Sequence, residues 1–137
     1  MLIQPYLSFE GRCEEALNFY KKAVGAKEEM LMRFKDSPEP CPPDMVPPGS
    51  ENKVMHMSFR IGNSVIMASD GNCSGKPLGH GISLAITVPT VAEAERIFAA
   101  LSDGGQVHMP MDKTFFSPAF GVLVDRFGVS WMVVTEQ

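Results

Sequence analysis

Few side chains in this 137-residue chain can do acid–base, nucleophilic or metal chemistry: three histidines, three cysteines and sixteen carboxylates. Their spacing limits what they can do. His56 lies in the run Val54 to Arg60 with Ser58 two residues on, so a strand there turns both to one face. An imidazole so placed can give or take a proton near neutral pH. It reads first as a histidine hydrogen-bonded to a neighbouring strand or loop. Asp70 and Glu136 are 66 residues apart at two strand ends. They read as paired carboxylates at a cavity mouth, anchoring a cationic ligand, or as solvated groups that cap a turn. His80 and Cys73 fall in a Gly-rich connector, and His108 alternates with apolar residues and has no evident partner. A divalent ion on His56, Asp70 and His80 would have no recognised ligand spacing. There is neither a GxSxG elbow nor a Cys/His pairing of known context, so nucleophilic catalysis is unsupported. Phe115, Phe116, Phe120 and Trp131 form an aromatic group that either lines or lids a pocket for a flat organic molecule, or fills a core.

Periodicity supplies the elements that must position these residues. Ile3 to Phe9 reads as a strand. From residue 12 to 24 the period becomes helical, with Cys13, Ala16, Leu17, Tyr20 and Val24 on one face and Gly25 at the stop. Glu28 to Phe34 is a second strand. Six of the eleven prolines crowd residues 36–53, which excludes a ladder and predicts a loop of about 18 residues. Val54 to Arg60 and Ser64 to Ser69 pair around Gly62-Asn63. Then Ile82 to Val88 is a strand, and Thr90 with Glu93 forms a capping box opening a second helix that stops at Gly104-Gly105. Gln106 to Met111, Phe120 to Asp125 and Ser130 to Thr135 complete three more strands. Strand-helix-strand-strand-strand thus occurs twice. Glu15-Ala16 and Phe19-Tyr20 match Glu93-Ala94 and Ile97-Phe98 at a spacing of 78, and Arg60 to Ser64 match Arg126 to Ser130 at 66. The spacing falls because the proline loop lengthens the first copy. The chain reads as one domain of two modules, 1–71 and 80–137.

Composition removes several function classes. A net charge of -4 without a Lys/Arg cluster argues against a nucleic-acid or anionic-membrane surface. No apolar run approaches the roughly 20 residues of a bilayer span, and Met1 to Tyr6 lacks the pattern of a signal peptide. Cys13, Cys41 and Cys73 are odd in number and without a CxxC pair, as expected of free thiols in a reducing cytosol.

The opening YLSF…CEEALNFYKKAVGA, the hairpin FRIGNSVIMASDG and the closing FGVLVDRFGVSWMVV resemble the vicinal-oxygen-chelate (glyoxalase/bleomycin-resistance/dioxygenase) superfamily. The chain is most similar to its PhnB-like branch, also labelled 3-demethylubiquinone-9 3-methyltransferase-like. The likeness covers essentially the whole chain. It implies an α+β fold of two tandem βαβββ modules, a curved mixed sheet with a cavity, and a homodimer. It also implies a divalent metal held by His, Glu or Gln on the outer strands, and the positions carried over are Pro5, Ile66 (or Met67), Ser83 and Met132. None is a plausible ligand for a hard or borderline divalent ion, so no metal cofactor is expected. The methyltransferase label implies a Gly-rich turn between strand and helix of a parallel sheet, whereas glycines 71, 75, 79 and 81 follow an antiparallel hairpin. Asp125 to Val129 resembles the superfamily's Asp-x-x-Gly-x corner. By analogy a three-residue turn, Arg60 to Gly62, is preferred for the first hairpin, opposing His56 to Ile66 and turning His56, Ser58, Ala68 and Asp70 inward. A two-residue Gly62-Asn63 turn would put His56 on the convex face.

The expectation is a cytoplasmic protein that binds a small organic molecule in a metal-free cavity, with His56, Ser58, Asp70, Phe115, Phe116, Phe120 and Met132 as candidate contacts. The alternative is an enzyme of lyase, isomerase or dioxygenase type acting on a small oxygenated metabolite through a relocated metal or acid–base work by His56. A third reading is a dimer module without ligand.

Overall fold

A computed structural model describes residues 4–37, 47–71, 73–74 and 82–136. The chain divides into two compact units, Met1–Leu78 and Gly79–Gln137, each with one helix and one four-stranded sheet.

In the first unit β1 (Tyr6–Ser8) leads to α1 (Cys13–Val24), β2 (Lys27–Arg33), a single 3-10 turn at Phe34–Asp36, β3 (Val54–Ile61) and β4 (Ser64–Ser69). The sheet order is β1-β4-β3-β2, with β1 parallel to β4 and the other pairs antiparallel. Of the helical stripe predicted from period 3.6, Cys13, Ala16, Leu17 and Tyr20 are buried, and at its end Ala23 rather than Val24 is the buried residue. They meet Met57, Phe59, Ile66 and Ala68, the inward set of β3 and β4, and the Tyr20 and Phe59 rings stack at 5.9 Å. Gly25 ends the helix with φ 71°, a left-handed conformation that disfavours any side chain with a Cβ. The proline-dense stretch has its two ends pinned to each other: Phe34 N donates to Lys53 O and Lys35 N to Glu51 O, both at 3.0 Å. Cys41 and most of the prolines lie outside the described residues.

In the second unit β5 (Ser83–Val88), α2 (Val91–Ser102), β6 (Gln106–Asp112), β7 (Phe120–Val124) and β8 (Ser130–Thr135) form the sheet β5-β8-β7-β6. Thr90 caps α2, its hydroxyl accepting from Glu93 N at 3.2 Å. Ala94, Ile97, Phe98 and Leu101 pack on Leu123, Trp131 and Val133. The two units therefore repeat one α+β plan, and neither sheet is the all-parallel one of a doubly wound fold. Among the described residues no helix is long and apolar enough to cross a membrane.

The pairing corrects two expectations. Phe59 opposes Ile66, Ser58 opposes Met67 and Ile61 opposes Ser64, so the first hairpin turns on Gly62-Asn63 alone. Gly62 has φ 58°, which that two-residue turn requires. In the second hairpin Val124 opposes Ser130, and Asp125 N donates to Val129 O at 2.9 Å, leaving three residues at the corner. One turn is thus a residue longer than the other. Counted along the strands, His56 matches Phe120 at a step of 64 and Met67 matches Met132 at a step of 65. The spacing of 66 aligned the turns rather than the strands. Strand side chains alternate, so an error of one residue exchanges the faces.

Candidate functional site

Each sheet has one face covered by its helix and one turned away from it. On the uncovered face of the first sheet the row Tyr6, Met67, Ser58 and Met30 runs across all four strands, and His56 stands opposite Met32 in the next row. His56 and Ser58 thus share the face away from α1, as expected of them, although the turn is the shorter one. Tyr6 reaches across β4: its phenol oxygen lies 3.1 Å from Nδ1 of His56, with the ring centroids 5.7 Å apart. Tyr6 is 52% exposed and His56 half-buried, so the pair meets solvent. The bond fixes the ring by one nitrogen and leaves Nε2 for a ligand. Tyr6 was missed from sequence because its partner is fifty residues away and separated from it by a whole strand.

The carried-over metal positions divide between the faces. Ile66 is buried against α1, and its neighbour Met67 takes the open face. Pro5 precedes β1 and gives its carbonyl to Met67 N at 3.0 Å, while Tyr6 faces outward. In the second sheet Ser83 and Met132 do face away from α2, and Ser83 Oγ lies 2.7 Å from Ser130 Oγ. With the faces corrected, Tyr6, Met67, Ser83 and Met132 still offer no carboxylate or imidazole to a divalent ion.

Asp70 is placed differently from expectation. It is 1% exposed on the helix side of the sheet, not at a cavity mouth. One carboxylate oxygen accepts from Gly11 N at 3.1 Å and Cys13 N at 2.7 Å, and the other from Val54 N at 2.7 Å. The reason lies at the start of α1. Arg12 occupies the cap position and makes no side-chain cap, so the first amides of the helix need an acceptor from elsewhere. Asp70 supplies it from the end of β4. By strand register, at the β4-to-β8 step of 65, its counterpart is Thr135, not Glu136. Glu136 is exposed. His56 and Asp70 are thus on opposite sides of the sheet, and His80 lies outside the described residues. Among the described residues no three His, Cys, Asp or Glu side chains converge as a metal site would require.

Neither described thiol, Cys13 or Cys73, is set as an activated nucleophile. Burial, with the Asp70 carboxylate beside it, pushes the Cys13 thiol far up, and burial also raises that of Cys73 against a hydrogen bond with Ser50.

In the second unit Phe115, Phe116 and Phe120 form a ladder of edge-on rings with centroid steps of 5.1 Å. It climbs from Phe120, which is buried, through Phe116 to Phe115, which is 94% exposed. Ser117 holds the loop: its hydroxyl oxygen lies 2.8 Å from Ala119 O and 2.7 Å from Thr135 O, with its one proton to give between them. Trp131 belongs to the core instead, its indole N–H donating to Asp125 Oδ2 at 2.9 Å. The other oxygen of Asp125 accepts from Phe127 N and Val129 N, which builds the Asp-x-x-Gly-x corner. His108 is exposed on the edge strand β6.

A groove of about 650 Å³ also opens beside the start of α1, lined by Arg12, Glu14, Glu15, Arg33 and Lys53 among others. Its charges are already engaged. Arg12 pairs with Glu15 at 2.9 Å, Arg33 grips both oxygens of Glu14 at 3.0 and 2.7 Å, and Lys53 donates to Gly11 O at 2.8 Å. The Arg33 hydrogen bonds hold the Glu14 carboxyl below its usual range. The groove acts as a polar clamp between α1 and the strand ends.

These features can be set beside known proteins. A family model described as 3-demethylubiquinone-9 3-methyltransferase matches residues 2–134. Protein YjdN of Escherichia coli K12 is 36% identical over 140 residues, covering 97% of this chain and 94% of that protein. Among solved structures, PA1353 from Pseudomonas aeruginosa superposes with a TM-score of 0.85 at 41% identity, over 100% of this chain and 98% of its own. A PhnB protein from Bacillus cereus, described as a 3-demethylubiquinone-9 3-methyltransferase, gives 0.80 at 30% identity over 98% and 99%. The fosfomycin resistance protein FosX from Mesorhizobium loti, at 11% identity and a TM-score of 0.66 over 100% and 92%, shares the fold alone. With the duplicated βαβββ plan and the Asp125 corner in place, the chain belongs to the PhnB-like, 3-demethylubiquinone-9 3-methyltransferase family of glyoxalase-like proteins.

Proposed function

We propose that this protein binds a small organic molecule by contact on the uncovered faces of its sheets, without a divalent metal. The observation that carries the reading is the makeup of the first such face. Thioethers of Met30, Met32 and Met67 surround the small Ser58, with the Tyr6–His56 pair at the border. Methionine adapts to irregular apolar and aromatic surfaces, and a phenol–imidazole pair orients one polar group. In the second unit Met132 and the Phe116–Phe120 step extend the same kind of lining. Asp70 has no part in it. Methyl transfer is not part of the reading, since no turn of the required kind precedes either helix. We place the protein in the cytoplasm, as a homodimer, on the ground of its thiols and its family.

The test is a thermal-shift panel of aromatic and hydrophobic small molecules on protein purified without chelator, with metal content measured in parallel. Stabilisation by a ligand class, lost in M67E, with no stoichiometric divalent ion, supports the reading. A stoichiometric divalent ion abolished by H56A would overturn it. The alternative, an enzyme using His56 as acid or base, is favoured by one observation: Nδ1 is held by Tyr6 while Nε2 is left to act. It predicts turnover of an oxygenated metabolite that H56A abolishes and that leaves binding intact.

A further inference from the structure

The same face has a property that contact binding does not use. It gathers thioethers and one oriented imidazole beside the neutral hydroxyls of Tyr6 and Ser58. Met30 and Met67 flank Ser58 on either side in one row, so their Cα atoms are about 10 Å apart, twice the strand spacing. Ser58 is too small to fill the space between them, and each flanking thioether is long and flexible enough to reach a ligand above it. His56 stands next along β3 on the same face, with Met32 opposite it at roughly 5 Å between Cβ atoms. Its Nδ1 is engaged by the Tyr6 phenol oxygen, as the non-ligating nitrogen of a metal-bound histidine is engaged by an outer partner. When Nδ1 carries the proton and donates to that oxygen, the lone pair of Nε2 is left for a ligand on the same face as the methionines. Thioethers, like thiolates, select soft ions, whereas carboxylates select harder ones. No carboxylate belongs to these two rows. The next row toward the turn carries Arg60, whose guanidinium is tied to Glu29 at 2.7 Å.

We propose that Nε2 of His56 and the thioethers of Met30 and Met67, with Met32 beside them, form a site for a soft monovalent cation, Cu(I) or Ag(I). This goes beyond the binding of an organic molecule and does not depend on it.

Silver ion is the probe, because it is redox-inert. The protein is labelled with methyl-13C methionine, carries Cys41→Ser and Cys73→Ser so that thiols other than the buried Cys13 do not compete, and is titrated in chloride-free buffer. Buried Met57 reports the intact fold; should the serine variants unfold, wild-type protein alkylated at its accessible thiols gives the same background. The expected result is that the methyl resonances of Met30 and Met67 move and saturate at a stoichiometric addition. M67L and H56N should each weaken binding by about tenfold or more, and M109L, on the other sheet, should change nothing. Silver that moves none of Met30, Met32 and Met67, or shifts that persist in a combined M67L/H56N variant, would overturn the proposal. The small-molecule panel is run on silver-free protein, so either reading can fail while the other stands.

Discussion

Asp70 illustrates how one side chain can have a wholly structural use while having the type and position of a functional one. Its two oxygens serve three backbone amides, those of Gly11, Cys13 and Val54. Removing them leaves buried donors unsatisfied, at a cost of about 1–3 kcal/mol for each. Asp70→Ala should therefore lower stability by at least about 3 kcal/mol in urea denaturation, while Glu136→Ala, on an exposed side chain, should fall within about 0.5 kcal/mol of wild type. Equal effects would show that the carboxylate is not the anchor. The thiols give a second check at this scale. In a Cys41→Ser background Cys13 should resist a thiol reagent at pH 8 until the protein is unfolded, and Cys73 should react slowly, because burial raises both. Rapid labelling of Cys13 in native protein would contradict its placement.

At the level of elements, hydrophobic period and cap chemistry were legible. The stripe from Cys13 to Tyr20, the stop at Gly25 and the Thr90 cap are all in place, since each depends on neighbours within a turn or two. Pairing register was not. The length of a hairpin corner follows from which amides Asp125 captures and which residue tolerates positive φ at Gly62, and identical-looking turn residues concealed a difference of one residue. For that reason Ile66 was preferred where Met67 faces outward. The Tyr6–His56 contact was hidden for a related reason, being made across a strand rather than along one. The clamp of α1 onto β2 is electrostatic and testable by pH. Arg33 holds the folded Glu14 carboxyl below its unfolded value, so the stabilisation is present above about pH 4.3 and is lost as pH falls through the folded value. Glu14→Gln should melt slightly below wild type at neutral pH, by no more than an exposed ion pair allows. The difference should close under acid conditions; a gap that widens there would reverse the assignment.

Taken whole, the molecule is a duplicated plan whose copies have diverged at matching positions. Where the first unit has Asp70 the second has Thr135, 2% exposed, whose Oγ1 is without a hydrogen-bond partner among the described residues. α2 is capped by its own Thr90, so a remote acceptor has nothing to serve. Replacing that hydroxyl by a methyl removes a buried unsatisfied polar atom at almost constant shape. Thr135→Val should be neutral or stabilising by up to about 1 kcal/mol in chemical denaturation, and a loss above that would point to a partner for Oγ1. Divergence at this pair also separates how the units come apart. In the first, Gly11, Cys13 and Val54 belong to a turn, a helix start and a strand start far apart in the chain, yet all three amides end on one carboxylate. Their protons should exchange with solvent deuterium at a common, slow rate set by a single opening, and in Asp70→Ala all three should become fast together. In the second unit Asp125 gathers donors only from its own corner and β8, and among the described residues no carboxylate ties the start of α2 to a strand end, so the first amides of α2 should exchange independently of β7 and β8.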